Sequence, residues 1–350
     1  MGAQLPSSTL GRGAVVWVTV IALICVVLEV VVLDDSVSQG LTVQETSFQY
    51  IYNIIYIFAE LFIAIAWWSA VVTQNVIQTF AAVALAFLTI VYAAIGLYHH
   101  HLLIEVINLA EDLPKRFECH TEAIEFGLIG LSAVSSIVML VCACLLYKEF
   151  AWSFYRRLGA DIGIRRMNLH HLTFTTLLQL NLFFYVCYSA QILTSVIHDQ
   201  SVPNLLRMVM TLPISLVILF AGYHGLVKER RGWMWAFMVG MAFVLGFMVL
   251  ELVIIAKTHD VRVDDPYTNT RNYKYFFGGL IAVLTIMSAG FAVRCYLNFD
   301  QGLKEARLNS CDQRSSLPAM ADSQWPQTLQ HLGTPYAQQG SCSVGRVMIE

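Results

Sequence analysis

The stretch Lys148–Gln191, KEFAWSFYRRLGADIGIRRMNLHHLTFTTLLQLNLFFYVCYSAQ, changes character halfway along. Its first half carries Lys148, Arg156, Arg157, Arg165 and Arg166 among aromatic residues, and its second half is apolar enough to enter a bilayer. Because the loops that hold Lys and Arg set the orientation of a membrane protein, this segment orients everything around it. Composition agrees. Hydrophobic residues make up 57% of the chain and charged residues 13%, about half the charged share of a soluble domain. Such a chain cannot cover itself with a surface that water tolerates. A net charge of -3 gives no reason to expect a nucleic-acid partner.

Outward from this stretch, the apolar runs repeat. Ala14–Leu33, AVVWVTVIALICVVLEVVVL, is long enough for a hydrocarbon core that needs about 20 residues. It exceeds the apolar core of a signal peptide and ends at Asp34–Asp35 without a small-residue cleavage site, so it reads as a retained anchor. Further runs follow at Phe48–Trp68, Val76–Tyr98, Ala123–Tyr147, Leu172–Ile197, Leu205–Leu226, Trp233–Ala256 and Tyr275–Tyr296. Helices satisfy their own backbone in lipid, whereas a barrel needs short alternating segments. The expected fold is an all-α polytopic membrane bundle of about eight transmembrane helices, or seven if the first is cleaved. It follows a short cytosolic lead at 1–13, fills 14–299, and ends in a disordered cytosolic tail at 300–350, rich in Ser, Gln, Pro and Gly. The cysteines lie mostly in apolar runs or in the tail and form no disulfide framework.

Loop charges give the orientation. Arg12, the basic residues of 148–166, Lys228, Arg230, Arg231, Lys304 and Arg307 fall on one side. They outnumber Lys115, Arg116, Arg207, Lys257, Arg262, Arg271 and Lys274 on the other. Both termini are therefore expected in the cytosol. Within 148–166, Phe150, Phe154 and Leu158 recur every four residues beside Arg156–Arg157. That spacing predicts a short helix lying in the headgroup layer, cations toward anionic lipid of the cytosolic leaflet, with a bend at Gly159 and Gly163.

Several strings also carry a family resemblance: YRRLGADIGIRRM with FFYVCYSAQ after it, TLPISLVILFAGYHGLVKERR, RCYLNFDQGLK and, more loosely, YIYNIIYIFAELFIAIAWWSAVVTQNVIQ. Together these resemble an uncharacterised fungal family of multi-span Golgi-apparatus membrane proteins, over about residues 48–304. The resemblance implies a Golgi or related endomembrane location and no known activity. The family's fifth span carries a Lys and an Asp where this chain has Gln179 and Asn181, which leaves hydrogen bonding rather than an ionic role for that pair.

Chemistry inside a membrane shows as polar groups placed where they are costly, about 2.5–3.5 kcal/mol or more for a charge at mid-span. Glu60 is the deepest candidate, with Glu29 and Glu251 nearer the lumenal ends of their spans. Two readings stand side by side. Glu60, with Glu29 or Glu251, binds a proton, a cation or a polar solute; or it is helix–helix glue, neutral or hydrogen-bonded to Asn53, Gln78, Asn181 or Gln191. His99, His100 and His101 end the third span on the lumenal side, but three consecutive helical residues point about 100° apart and match no metal motif. No cofactor is expected. Enzyme signatures such as GxSxG, HExxH or a phosphate-binding loop are absent. Glycines at 127, 130, 240, 246, 278 and 279 are expected to let helices pack closely, and no internal repeat is evident. A non-enzymatic structural or trafficking protein is the leading reading. A small-solute, proton or metal-ion transporter and a seven-span receptor are the alternatives, and protein partners stay unnamed.

Overall fold

The computed structural model describes residues 9–38, 43–110, 118–158, 162–198, 202–261 and 271–299, with side chains described at 9–34, 50–98, 101, 123–151, 163–192, 212–257 and 274–299. These residues form eight helices: α1 Thr9–Ser38, α2 Val43–Thr73, α3 Val76–Ala110, α4 Glu118–Leu158, α5 Ile162–His198, α6 Val202–Lys228, α7 Arg231–Val261 and α8 Arg271–Leu297. Seven are long and apolar enough to cross a membrane, and α6 adds a shorter apolar stretch, Leu212–Lys228. The expected helical bundle is what the chain forms. Helix α1 begins at Thr9, and the tail at 300–350 lies outside the described residues.

Helix neighbours fall into two closed sets. In the first, α1 packs on α2, α2 on α3, α3 on α4, and α4 returns to α1. In the second, α5 packs on α6, α6 on α7, α7 on α8, and α8 returns to α5. The two four-helix units meet where α2 and α3 touch α5 and where α3 touches α8. Aromatic rings fill this seam. Phe183 stacks on Phe58 at 5.6 Å and meets Phe62 at 4.8 Å, while Phe277 meets Tyr92 at 5.4 Å and Phe184 at 5.9 Å. Pairs of this geometry contribute about 0.5–1.5 kcal/mol each beyond their buried area.

The units share a turn as well as a packing order. In each, the second and third helices are joined by two residues, the first left-handed: Gln74 at φ 54° and Glu229 at φ 50°. Behind each, the next amide donates back five residues, Asn75 N to Ala70 O at 2.9 Å and Arg230 N to Gly225 O at 3.1 Å. This is the Schellman closure of a helix C-terminus. Asn75 also caps α3, its Oδ1 accepting from the amides of Ile77 and Gln78 at 3.1 and 3.3 Å. The duplication escapes sequence reading because the two turns share no residues.

Three expectations change here. The helix expected to lie in the headgroup layer is the continuation of α4, unbroken from Glu118 to Leu158. Neither Gly nor Pro interrupts the backbone ladder between Gly130 and Gly159, so the helix has no reason to stop at the end of the span. At 1.5 Å per residue it is about 60 Å long, roughly twice a hydrocarbon core, and Phe150 on it faces the protein interior rather than lipid. Gly163 makes no bend and sits in the first turn of α5.

The glycines divide. A Cβ at Gly240 would meet Ile218 at 2.8 Å and one at Gly278 would meet Leu252 at 2.9 Å, so those two permit the close approach expected of them. Gly127, Gly130, Gly246 and Gly279 face open space. Gly222 and Gly96 take over that role, against the rings of Phe237 and Tyr52. Gly222→Ala places a methyl 2.5 Å from the Phe237 ring, and overpacking of this kind costs about 1–3 kcal/mol. Gly222→Ala should lower the thermal midpoint of the purified protein, whereas Gly246→Ala, with open space and better helix propensity, should leave it unchanged or raise it.

Candidate functional site

The first unit encloses polar side chains from all four of its helices. Tyr56 on α2 reaches across the unit to α4, its hydroxyl 2.7 Å from Ser132 Oγ. Tyr56 also faces the carboxyl of Glu60 one turn on, and the Cys25 thiol of α1 lies against both Tyr56 and Ser132. Glu60, Thr89, Ser132, Ser135 and Ser136 line a small cavity on the axis of the unit, closed by apolar side chains. It leaves about 10 Å³ for the centre of a water-sized sphere, enough for about one water molecule.

The chemistry of this lining is that of an acceptor. Thr89 Oγ1 donates to Ala86 O at 2.8 Å and Ser136 Oγ to Ser132 O at 2.8 Å. With their hydrogens engaged by the backbone, these hydroxyls offer lone pairs to the cavity, and Glu60 adds carboxyl oxygens. These oxygens suit a hydrogen-bond donor or a small hard cation.

The expected site residues separate. Glu29, only 3% exposed, lies on α1 within electrostatic reach of Glu60 and of Glu125 on α4. Glu251 is equally enclosed but belongs to α7 in the other unit. Asn181 does not glue Glu60. Its amide nitrogen donates to Leu177 O at 2.8 Å and to Ser288 Oγ of α8 at 2.6 Å, and Tyr185 lies 3.4 Å from Thr285 one turn away. The second unit thus closes α5 on α8 with a polar ladder. Gln78 also serves elsewhere, lining a cavity between α2, α3 and α5 with Thr176 and Gln179. Gln191 is buried on α5, away from the Glu60 cavity.

The basic anchor divides too. Exposed Lys148 ends the first unit on α4, while half-buried Arg165 and exposed Arg166 begin the second on α5. The side chains of Arg156 and Arg157 lie outside the described residues. The same holds for His99 and His100, and His101 is exposed. Among the described residues no group of three or more His, Cys, Asp or Glu is arranged to hold a metal ion.

Lys274, counted among the loop cations, is interior, and so is Glu125 at the start of the fourth run. Glu125 is 8% exposed and Lys274 4% exposed. The signal for Glu125 was available, since it falls in the first turn of the fourth apolar run. Lys274 precedes its run, and only the packing of α8 on its neighbours encloses it.

Fold and interior together define a polytopic helical membrane protein. Among known proteins, the chain is similar to a UPF0658 Golgi apparatus membrane protein of Schizosaccharomyces pombe, 22% identical over 201 residues that make up 57% of this chain and 55% of that protein. The chain therefore spans about half the length of the curated relative it matches, and the family resemblance read from the sequence is supported. No family model and no solved structure matches the chain.

The bond across the first unit is directly measurable. A double-mutant cycle with Tyr56→Phe and Ser132→Ala should give a coupling energy of about 0.6–1.7 kcal/mol, the range of interhelical hydrogen bonds in membranes. Thermal unfolding in detergent reads it, and strictly additive losses would refute the bond.

Proposed function

We propose that this chain is an integral, multi-pass protein of the Golgi membrane with both termini in the cytosol. It serves a non-enzymatic structural, trafficking or homeostatic role, and its basic segment 148–166 contacts anionic lipid. The observation that carries the location is the similarity to the Golgi apparatus membrane protein of Schizosaccharomyces pombe, joined to a matching bundle of apolar helices. The excess of Lys and Arg on one side supports the orientation, and the lack of catalytic motifs supports a role without catalysis. A fluorescent tag at either terminus should coincide with a Golgi marker and be digested by protease added to the cytosolic face of intact vesicles. Protection of either tag refutes the orientation, and an N-terminal tag retained on the mature protein excludes the seven-span receptor.

A second reading is favoured by one arrangement, the oxygen-lined cavity at Glu60 on the axis of the first unit. In that reading the unit conducts a proton, small cation or polar solute by way of Glu60. Glu60→Gln keeps the shape and removes the charge. It should abolish proton or cation flux in reconstituted vesicles while the protein still unfolds at its usual temperature. Unchanged flux would sink the transporter.

A further inference from the structure

One end of the second unit carries cations on all four of its helices. Arg166 of α5 and Arg294 of α8 both lie within electrostatic reach of His170, whose ring packs 5.9 Å from Phe291. Two residues beyond Arg294, and so on another face of α8, the ring of Tyr296 has the Cζ of Arg231 at 6.0 Å and the indole of Trp235 at 6.2 Å. Lys228 closes α6 and Arg230 completes the turn into α7. Arg166, Arg230, Arg231 and Arg294 are exposed, and among the described residues Glu229 is the acid in their midst.

The depth of this end is marked by its aromatics. Trp233 is 41% and Trp235 56% exposed, and rings of this kind belong at the headgroup level. The first unit supplies an internal comparison. Its equivalent turn has the same left-handed residue and the same backward hydrogen bond, yet it reads Thr73-Gln74-Asn75-Val76 where the second reads Lys228-Glu229-Arg230-Arg231. The turn geometry therefore does not require the cations. Nor does orientation require them to converge, since charges anywhere in the loops serve that purpose.

Guanidinium groups match phosphate oxygens with two parallel hydrogen bonds. Several of them on one end of a bundle suit a headgroup with several anionic oxygens better than single charges spread along the chain. We propose that the start of α5, the α6–α7 turn and the end of α8 form a binding site for a phospholipid headgroup bearing phosphate monoesters, of the phosphorylated-inositol class. This deepens the lipid contact proposed above, moving it from the linear segment 148–166 to a surface built by the second unit. It rests on the proposed orientation only for naming the leaflet as cytosolic.

The test uses the full chain in phosphatidylcholine nanodiscs, with native mass spectrometry and thermal stability as readouts. Phosphatidylinositol phosphate should be retained and should raise the thermal midpoint. Phosphatidylserine at matched charge should do so far less. The triple variant Arg166→Gln, Arg230→Gln, Arg294→Gln should bind on the order of 100-fold more weakly, about fivefold per cation. A control variant, Arg12→Gln, removes charge from the first unit and should bind within about fivefold of wild type. Equal retention of the two lipids, or equal losses in the two variants, overturns the site in favour of diffuse attraction. Binding of soluble inositol phosphate as tight as that of the lipid overturns the membrane source, and capture of an acidic peptide with no lipid preference overturns the lipid class. Mislocalisation of the tagged protein would refute the Golgi reading and leave these titrations unchanged.

Discussion

In each half of the molecule the fourth helix packs back on the first, α4 on α1 and α8 on α5. An open row of helices would expose the same faces to lipid on both sides. Closing it creates an inside, where polar side chains must be satisfied by one another because lipid offers them nothing. The closures are accordingly polar. Cys25 and Glu29 of α1 face Ser132 and Glu125 of α4, and Asn181 and Tyr185 of α5 face Ser288 and Thr285 of α8. Lipid-facing residues outside these contacts are large and apolar, such as Val16, Val217 and Val239.

One architecture built twice has acquired two different interiors. The first unit keeps an oxygen-lined space around Glu60. The second fills its core with Phe174, Phe237, Met234 and Met241 and sets a polar ladder at the α5–α8 contact. Between them the seam is aromatic, its rings held in stacked, tilted and edge-on pairs. The small cavity at Glu60 lies in the first unit, and the second carries exposed cations at one end.

Hydropathy carried the spans, because length and apolarity are properties of a segment alone. The resemblance to multi-span membrane proteins was legible in strings such as YRRLGADIGIRRM. Glu60 stood out because a carboxyl in the middle of an apolar run is costly in lipid. What could not be read was adjacency. Helices such as α1 and α3 are apolar around most of their circumference, so no stripe announces which face meets which neighbour. Hence the glycines that pack closely were partly misassigned, the burial of Lys274 was missed, and Asn181 was paired with the wrong helix. The two-unit plan was hidden for the same reason, since a packing order leaves no repeat in the residues themselves.

The two-residue turns after Thr73 and Lys228 carry a consequence for biogenesis. Each returns the chain at once, with the second helix of a unit and the third locked antiparallel by the backward hydrogen bond of the Schellman closure. There is no slack for one helix of such a pair to settle across the bilayer while the other waits outside. The two helices of each pair are therefore neighbours from the turn onward, held by the contact of Gly222 with Phe237 in one case and of Tyr52 with Tyr92 in the other.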